Sequence, residues 1–116
     1  MQYSAHAPEP LEDQLVLESL LSRGNPKYKA TFPLVVIYFT ASWCRACKAV
    51  NIPELMGLRQ DIKWYKCDVD DNQYSPSYCG VSSIPAFQAI VNGVPLQLLP
   101  TSDMGKLREF VIGLRA

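Results

Sequence analysis

Cys44 and Cys47 stand two residues apart in the stretch YFTASWCRACKAV, residues 38–50. A thiol attacks a disulfide only as its thiolate, so what matters is whatever holds negative charge at Cys44. That cysteine falls where an apolar strand ends and a helix is expected to begin, and the free N–H groups of a helix start favour an anion. Arg45 adds a cation beside it. Both effects lower the pKa of the Cys44 thiol. One helical turn then brings Cys47 back next to Cys44. An exposed first cysteine and a shielded second one make a two-electron switch, in which the second displaces whatever the first has captured. Two plainer readings compete: a pair of buried structural cysteines, and half of a zinc site. A structural zinc site needs four ligands, and Cys67, Cys79 and His6 supply no second C-x-x-C or H-x-x-x-H spacing.

The elements that position these cysteines are legible on either side. Residues 34–40, LVVIYFT, are apolar and rich in β-branched side chains. That is how a strand buried on both faces reads. The run CRACKAVNIPELMGL after it reads as a helix from Cys44, kinked near Pro53. Residues 62–69 form a second strand, and DDNQYSPSYCG holds a turn and a short helix. AFQAIV and VPLQLL flank Asn92-Gly93, a favoured two-residue hairpin turn. A last helix begins at a Ser102 or Asp103 cap and buries Leu107, Phe110, Val111 and Leu114. Upstream, residues 11–23 place Leu11, Leu15, Leu17, Leu20 and Leu21 near one helical face. Gly24-Asn25-Pro26 ends that helix, and KYKATF links it onward. Residues 1–10 form an N-terminal extension in which QYSAHA is a weak candidate for a short edge strand, and 11–116 form the domain. Alternating helices and strands, then a hairpin, imply a mixed α/β sheet with helices on both faces.

The whole chain narrows the function classes. Its 116 residues suit one domain and one core, and nearly half are apolar. Eleven basic and eleven acidic residues cancel, with no block of like charge, so neither nucleic acid nor an anionic membrane is implied as a partner. The run LVVIYF is far too short to span a bilayer. The first residues carry neither a secretory nor a transit pattern, so a cytoplasmic location is expected. In a reducing compartment a C-x-x-C is catalytic or metal-binding more often than structural.

With these residues in view, the sequence resembles the thioredoxin family. The matching pieces are the strand leading into ASWCRAC, the stretch DVDDNQ, CGVSSIPAF, the NG hairpin and the last helix, from about residue 34 to the end. The resemblance implies the thioredoxin fold and dithiol–disulfide exchange, with Cys44 attacking and Cys47 resolving. Trp43 would flank the site. Ile84-Pro85 would match the family's cis-proline loop, which pairs with substrate backbone. The implied partners are protein disulfides and a reducing donor, a flavin-dependent thioredoxin reductase using NADPH or another dithiol. No cofactor of its own is implied, since no Gly-rich phosphate loop is present. A monomer is expected.

Several residues depart from the family pattern. Arg45-Ala46 replaces the usual Gly-Pro between the cysteines. A stabilised thiolate favours the reduced form, so the couple is expected to be more oxidising than ordinary thioredoxin. Tyr38 stands where the family commonly places an aspartate that helps deprotonate the resolving cysteine. A phenol with a pKa of about 10 is no base at neutral pH, so resolution should be slow, or a water or Lys66 should stand in. Pro100 replaces a glycine near the substrate groove. Trp64 and Cys67 read as core, while Cys79 is either packing or an oxidisable thiol. A Cys67–Cys79 bridge is left open, Lys66 is either buried or snorkelling, and His6 is given no role.

The leading function is a thioredoxin-like protein-disulfide oxidoreductase. A redox-gated binding module that holds partners through Trp43 and the Ile84-Pro85 loop is the alternative from another class. A specialised disulfide oxidase or isomerase, suggested by Arg45, is the third.

Overall fold

A run of seven buried residues dictates the centre of the molecule. The computed structural model describes residues 7–21 and 32–116. Within them β2 (Leu34–Thr40) is buried at every position, because it has a neighbour on each side and helices over each face. The sheet order is β1-β3-β2-β4-β5, with β1 at Glu9–Pro10, β3 at Lys63–Asp68, β4 at Ala86–Val91 and β5 at Val94–Pro95. β1 and β2 run parallel to β3, while β4 is antiparallel to β2 and β5 to β4.

Successive β2 side chains point to opposite faces, and two cores result. Val36 and Tyr38 join Trp64, Phe87, Leu55 of α2 (Ile52–Gly57), and Leu107 and Val111 of α4 (Met104–Gly113). Val35, Ile37 and Phe39 join Tyr65, Cys67, Ile90 and Leu17 of α1 (Gln14–Ser19), with Cys79 of α3 (Tyr74–Cys79) packed alongside. The expected α/β architecture is therefore present: a mixed sheet with helices on both faces. Among the described residues no helix is long and apolar enough to cross a membrane.

The structure revises three local expectations. The first helix is shorter than residues 11–23. It opens only at Asp13, whose carboxylate accepts the Val16 N–H at 3.1 Å. Leu11, Leu17, Leu20 and Leu21 are buried, but Leu15 is 74% exposed. It lies about 200° around the helix from Leu17, so both cannot face the core. The stop at Gly24-Asn25-Pro26 and most of the linker lie outside the described residues. So do His6 and nearly all of QYSAHA; the edge strand observed is Glu9–Pro10, continued by a hydrogen bond from Leu11 N–H to the Lys66 carbonyl at 2.8 Å.

The second revision concerns residues 44–58, which are not one kinked helix. A single 3₁₀ turn, Ala46–Ala49, ends at an extended Val50. Asn51 then caps α2 by accepting the Glu54 N–H at 3.1 Å, with Pro53 in the first turn. A proline there lacks only an N–H that had no partner, so it starts a helix rather than bending one.

The third revision is the length of β5. The Asn92-Gly93 turn has positive φ at both residues, 50° and 80°, as a tight hairpin requires. Only Val94–Pro95 follows as strand, and pairing resumes where Phe87 and Leu99 exchange hydrogen bonds of 2.9 and 2.8 Å. α3 closes at Gly80 in the left-handed region, φ 74°. Asp103 rather than Ser102 caps α4, accepting the Lys106 N–H at 3.0 Å.

Candidate active site

The end of β2 delivers Ala41 into a turn in which Cys44 N–H donates to the Ala41 carbonyl at 3.1 Å. The 3₁₀ turn that follows brings Cys47 back over Cys44. The two are joined by a disulfide, with Cα atoms 5.4 Å apart, well inside the range a bridge needs. The Cys47 N–H points at the Cys44 sulfur at 3.2 Å. This backbone dipole, not a long helix, is the local donor for charge on Cys44, because the helix expected to begin at Cys44 is a single turn.

The expected contrast of an exposed Cys44 and a shielded Cys47 does not hold as area, since both are 5% exposed in the bridged state. It holds as direction. Cys44 lines an open groove of about 510 Å³ together with Trp43, Arg45, Ser83 and Ile84, and Cys47 does not line it. Ile84-Pro85 is cis and faces this groove through Ile84. Thus Trp43, Cys44, Arg45 and Ile84 meet at one opening. Pro85 lies buried directly after it, and Pro100, exposed beyond Leu99, does not line it.

Trp43 is 66% exposed but not loose, because its indole N–H donates to Asp70 at 2.8 Å. Asp70 is a site residue that sequence reasoning missed. It lies in DVDDNQ beyond β3, and nothing in the spacing of residues 43 and 70 shows that they meet. The register does: Thr40 lies opposite Asp68, and the Val69 N–H donates to the Thr40 carbonyl at 3.0 Å. The turn after β3 is thereby brought beside the turn after β2. Val69, Pro76 and Val81, also missed, form the apolar side of the groove.

Tyr38 lies on β2 opposite Lys66 and Phe87. Its ring stacks on Phe87 at 5.0 Å, and its hydroxyl donates to the Cys47 carbonyl at 3.2 Å. Burial pushes this phenol above its ordinary range, against a smaller opposing effect of Thr40. It is therefore an acid held neutral behind the disulfide. Lys66 is exposed and borders a separate pocket with Glu12, Asp68 and Asp71, so it does not replace the missing carboxylate.

Cys67 and Cys79 are both free. Cys67 is buried, and desolvation, with lesser contributions from Cys79, Asp68 and Asp71, pushes its thiol up to about 12. Desolvation pushes Cys79 up to about 11. Neither is a thiolate near neutral pH, in contrast to what the site asks of Cys44.

A bridged C-x-x-C at the end of a central parallel strand, facing a cis-proline loop, defines a thiol–disulfide exchange protein. Comparison with known proteins agrees. The Thioredoxin family model matches residues 27–111. Thioredoxin of Gallus gallus is 34% identical over 83 residues, covering 70% of this chain and 79% of that protein. The chloroplastic thioredoxin M2 of Arabidopsis thaliana is 41% identical over 69 residues, covering 56% of this chain and 36% of that protein. Oxidised mitochondrial thioredoxin 3 of Saccharomyces cerevisiae has the same fold, with a TM-score of 0.81 at 22% identity over 92% of this chain and 95% of that one. The chain belongs to the thioredoxin family and is a thioredoxin-like protein-disulfide oxidoreductase.

Proposed function

We propose that Cys44 is the attacking thiolate and Cys47 the resolving thiol of a disulfide reductase that is more oxidising than ordinary thioredoxin. The observation that carries this is the asymmetry of the bridge: Cys44 opens onto the groove and accepts the Cys47 N–H, whereas Cys47 does neither. In the reduced protein the Cys44 thiolate attacks one sulfur of a substrate disulfide, forming a mixed disulfide and expelling one substrate thiolate. Cys47, once deprotonated, attacks the Cys44 sulfur and expels the second. The substrate gains two electrons and two protons, and the Cys44–Cys47 bridge forms. An external dithiol donor reverses this, and a thioredoxin reductase is the proposed physiological donor. Arg45 and the Cys47 N–H favour the Cys44 thiolate, Trp43 shields it, and Ile84-Pro85 holds substrate backbone. The site is complete within one chain, which supports action as a monomer. Cys67 and Cys79, unbridged in the core, support residence in a reducing compartment such as the cytoplasm.

Insulin-disulfide reduction with a limiting dithiol donor tests the reading. Multiple turnovers are expected, lost in Cys44→Ser and in Cys47→Ser, with a trapped adduct only in Cys47→Ser. Turnover surviving in Cys44→Ser would overturn it.

One observation favours a second reading. The neutral Tyr38 behind Cys47 supplies no base for the resolving step, and slow resolution would turn the reductase into a redox-gated module that holds a partner covalently. A mixed disulfide that persists in the wild-type protein while turnover is absent would select that reading.

A further inference from the structure

The groove beside Cys44 has a charge pattern that the chemistry of exchange alone does not require. Val69, Pro76 and Val81 make one wall apolar, and Ser82 and Ser83 add hydroxyls. The single charged residue lining it is Arg45. Arg45 is exposed, and no hydrogen bond or ion pair engages its guanidinium among the described residues; only its backbone carbonyl is engaged, accepting the Lys48 N–H at 3.1 Å. No carboxylate lines the groove; that of Asp70, outside the lining, accepts from Trp43. The backbone of residues 82–84 makes no backbone hydrogen bond among the described residues, so it is open to an extended chain laid along it.

We propose that this groove selects protein disulfides whose attacked cysteine is flanked by an acidic side chain, and that Arg45 reads that side chain. The inference rests on the oxidoreductase reading and adds a substrate class to it. An extended peptide whose sulfur meets Cys44 passes Arg45, the next residue in the chain. A carboxylate there gains a charge-assisted hydrogen bond from the guanidinium, whose planar fork suits a carboxylate. A lysine there meets a like charge with no acid in the groove to offset it. The pair is solvent-exposed, so its effect is modest and salt-dependent.

Arg45 thus has two separable effects. Favouring the Cys44 thiolate changes the rate on every substrate alike. Reading the flanking side chain changes the ratio between substrates. The test uses three otherwise identical peptides with an intrachain disulfide, carrying Asp, Asn or Lys beside the attacked cysteine. Each kcat/KM is divided by the rate of dithiothreitol alone on the same peptide, which removes the peptide's own reactivity. The wild-type protein is expected to prefer Asp to Asn by about fivefold and Asp to Lys by about tenfold. The preference should fade in about 1 M salt, where the screening length falls to about 3 Å. Arg45→Gln should bring the ratios to about one while shifting all three rates together, and Arg45→Lys should keep the order Asp, Asn, Lys. Equal rates on the three peptides in wild type, or ratios unchanged in Arg45→Gln, would overturn the proposal and leave the oxidoreductase reading standing. Reduction of none of them would overturn both.

Discussion

The Tyr38 hydroxyl donates a hydrogen bond to the carbonyl oxygen of Cys47 at 3.2 Å, from a ring stacked on Phe87. It fixes the backbone of Cys47, the proposed resolving cysteine, without offering a base for its proton. Replacing Tyr38 with Asp should speed decay of the mixed disulfide by about 10²-fold, the low end of the roughly 10²–10⁴ that a positioned base contributes. Tyr38→Phe keeps the ring stack and loses only the hydroxyl, so it should leave resolution slow. Acid-quench trapping of the mixed disulfide over time measures both. Equal lifetimes in wild type and Tyr38→Asp would show that the phenol is not what slows the step.

The redox couple should follow the charge beside Cys44. A reduction potential above the roughly −270 mV of thioredoxin is expected, and Arg45→Gly should lower it by about 30 mV, a tenfold change in the dithiol–disulfide equilibrium. Equilibration with glutathione buffers gives the value. A wild-type potential at or below −270 mV, taken as roughly the thioredoxin value, would contradict the reading of Arg45.

Cys67 and Cys79 predict a loss of stability at alkaline pH. Their folded thiols titrate at about 12 and about 11, above the ordinary value of 9.0. Because the folded values are raised, the unfolded chain releases these protons first. Their stabilising effect is whole below pH 9.0 and is lost as pH rises through 11 and 12. Tyr38 and Tyr65, also raised by burial, act in the same direction. Urea midpoints measured against pH should fall across this window, and less steeply in Cys67→Ala when each protein is normalised to its own value near neutral pH. At pH 8 the reduced native protein should take up iodoacetamide at Cys44 well before Cys67 or Cys79; rapid labelling of Cys79 would restore it as an oxidisable thiol.

Trp43 owes its pose to Asp70. Asp70→Ala should free the indole, lowering its fluorescence anisotropy and reducing kcat/KM a few-fold with little change in stability, as befits one exposed hydrogen bond. An unchanged anisotropy would mean that packing alone holds the ring.

Asn72 is buried and fully engaged: its amide donates to the Leu11 carbonyl at 3.1 Å and the Ser75 hydroxyl at 3.0 Å, and its oxygen accepts the Ser75 N–H at 3.1 Å. It ties the segment before α1 to the start of α3. Asn72→Ala strands these groups and should cost about 2–3 kcal/mol in denaturant unfolding. A loss below about 0.5 kcal/mol, the low end for a hydrogen bond, would mean that water replaces the amide.

How far the sequence reached depended on the range of the interaction. β2 was legible to the residue because burial on both faces leaves a continuous apolar run, and the Asn92-Gly93 turn was legible because few residues adopt positive φ. The break at Val50-Asn51 was misread because Pro53 invites a kink, while the signal that decides it is the Asn51 cap two residues earlier. Leu15 was misplaced because its helical spacing to Leu11 was counted, although Leu11 precedes the Asp13 cap, while its separation of about 200° from buried Leu17 decides its face. That Trp43, Cys44, Arg45 and Ile84 meet at one opening, beside the bridge to Cys47, was legible from the C-x-x-C and from the resemblance to the thioredoxin family, which implied places for Trp43 and Ile84. Val69, Pro76 and Val81, which line the groove, and Asp70, which holds Trp43 beside it, were not, because they come from segments distant in sequence that only the tertiary fold brings beside the turn after β2.

Both outer strands of the sheet are two residues long, and each contains a proline: Pro10 in β1 and Pro95 in β5. Proline brings no N–H to a ladder, and a two-residue edge offers almost no template for a foreign strand. Residues 82–84 leave their backbone without internal backbone hydrogen bonds among the described residues, while the margins of the sheet, where sheet-to-sheet growth would begin, are guarded against extended chains. Replacing those edge prolines with β-formers would leave the thiol chemistry intact and make the molecule stickier to its own kind.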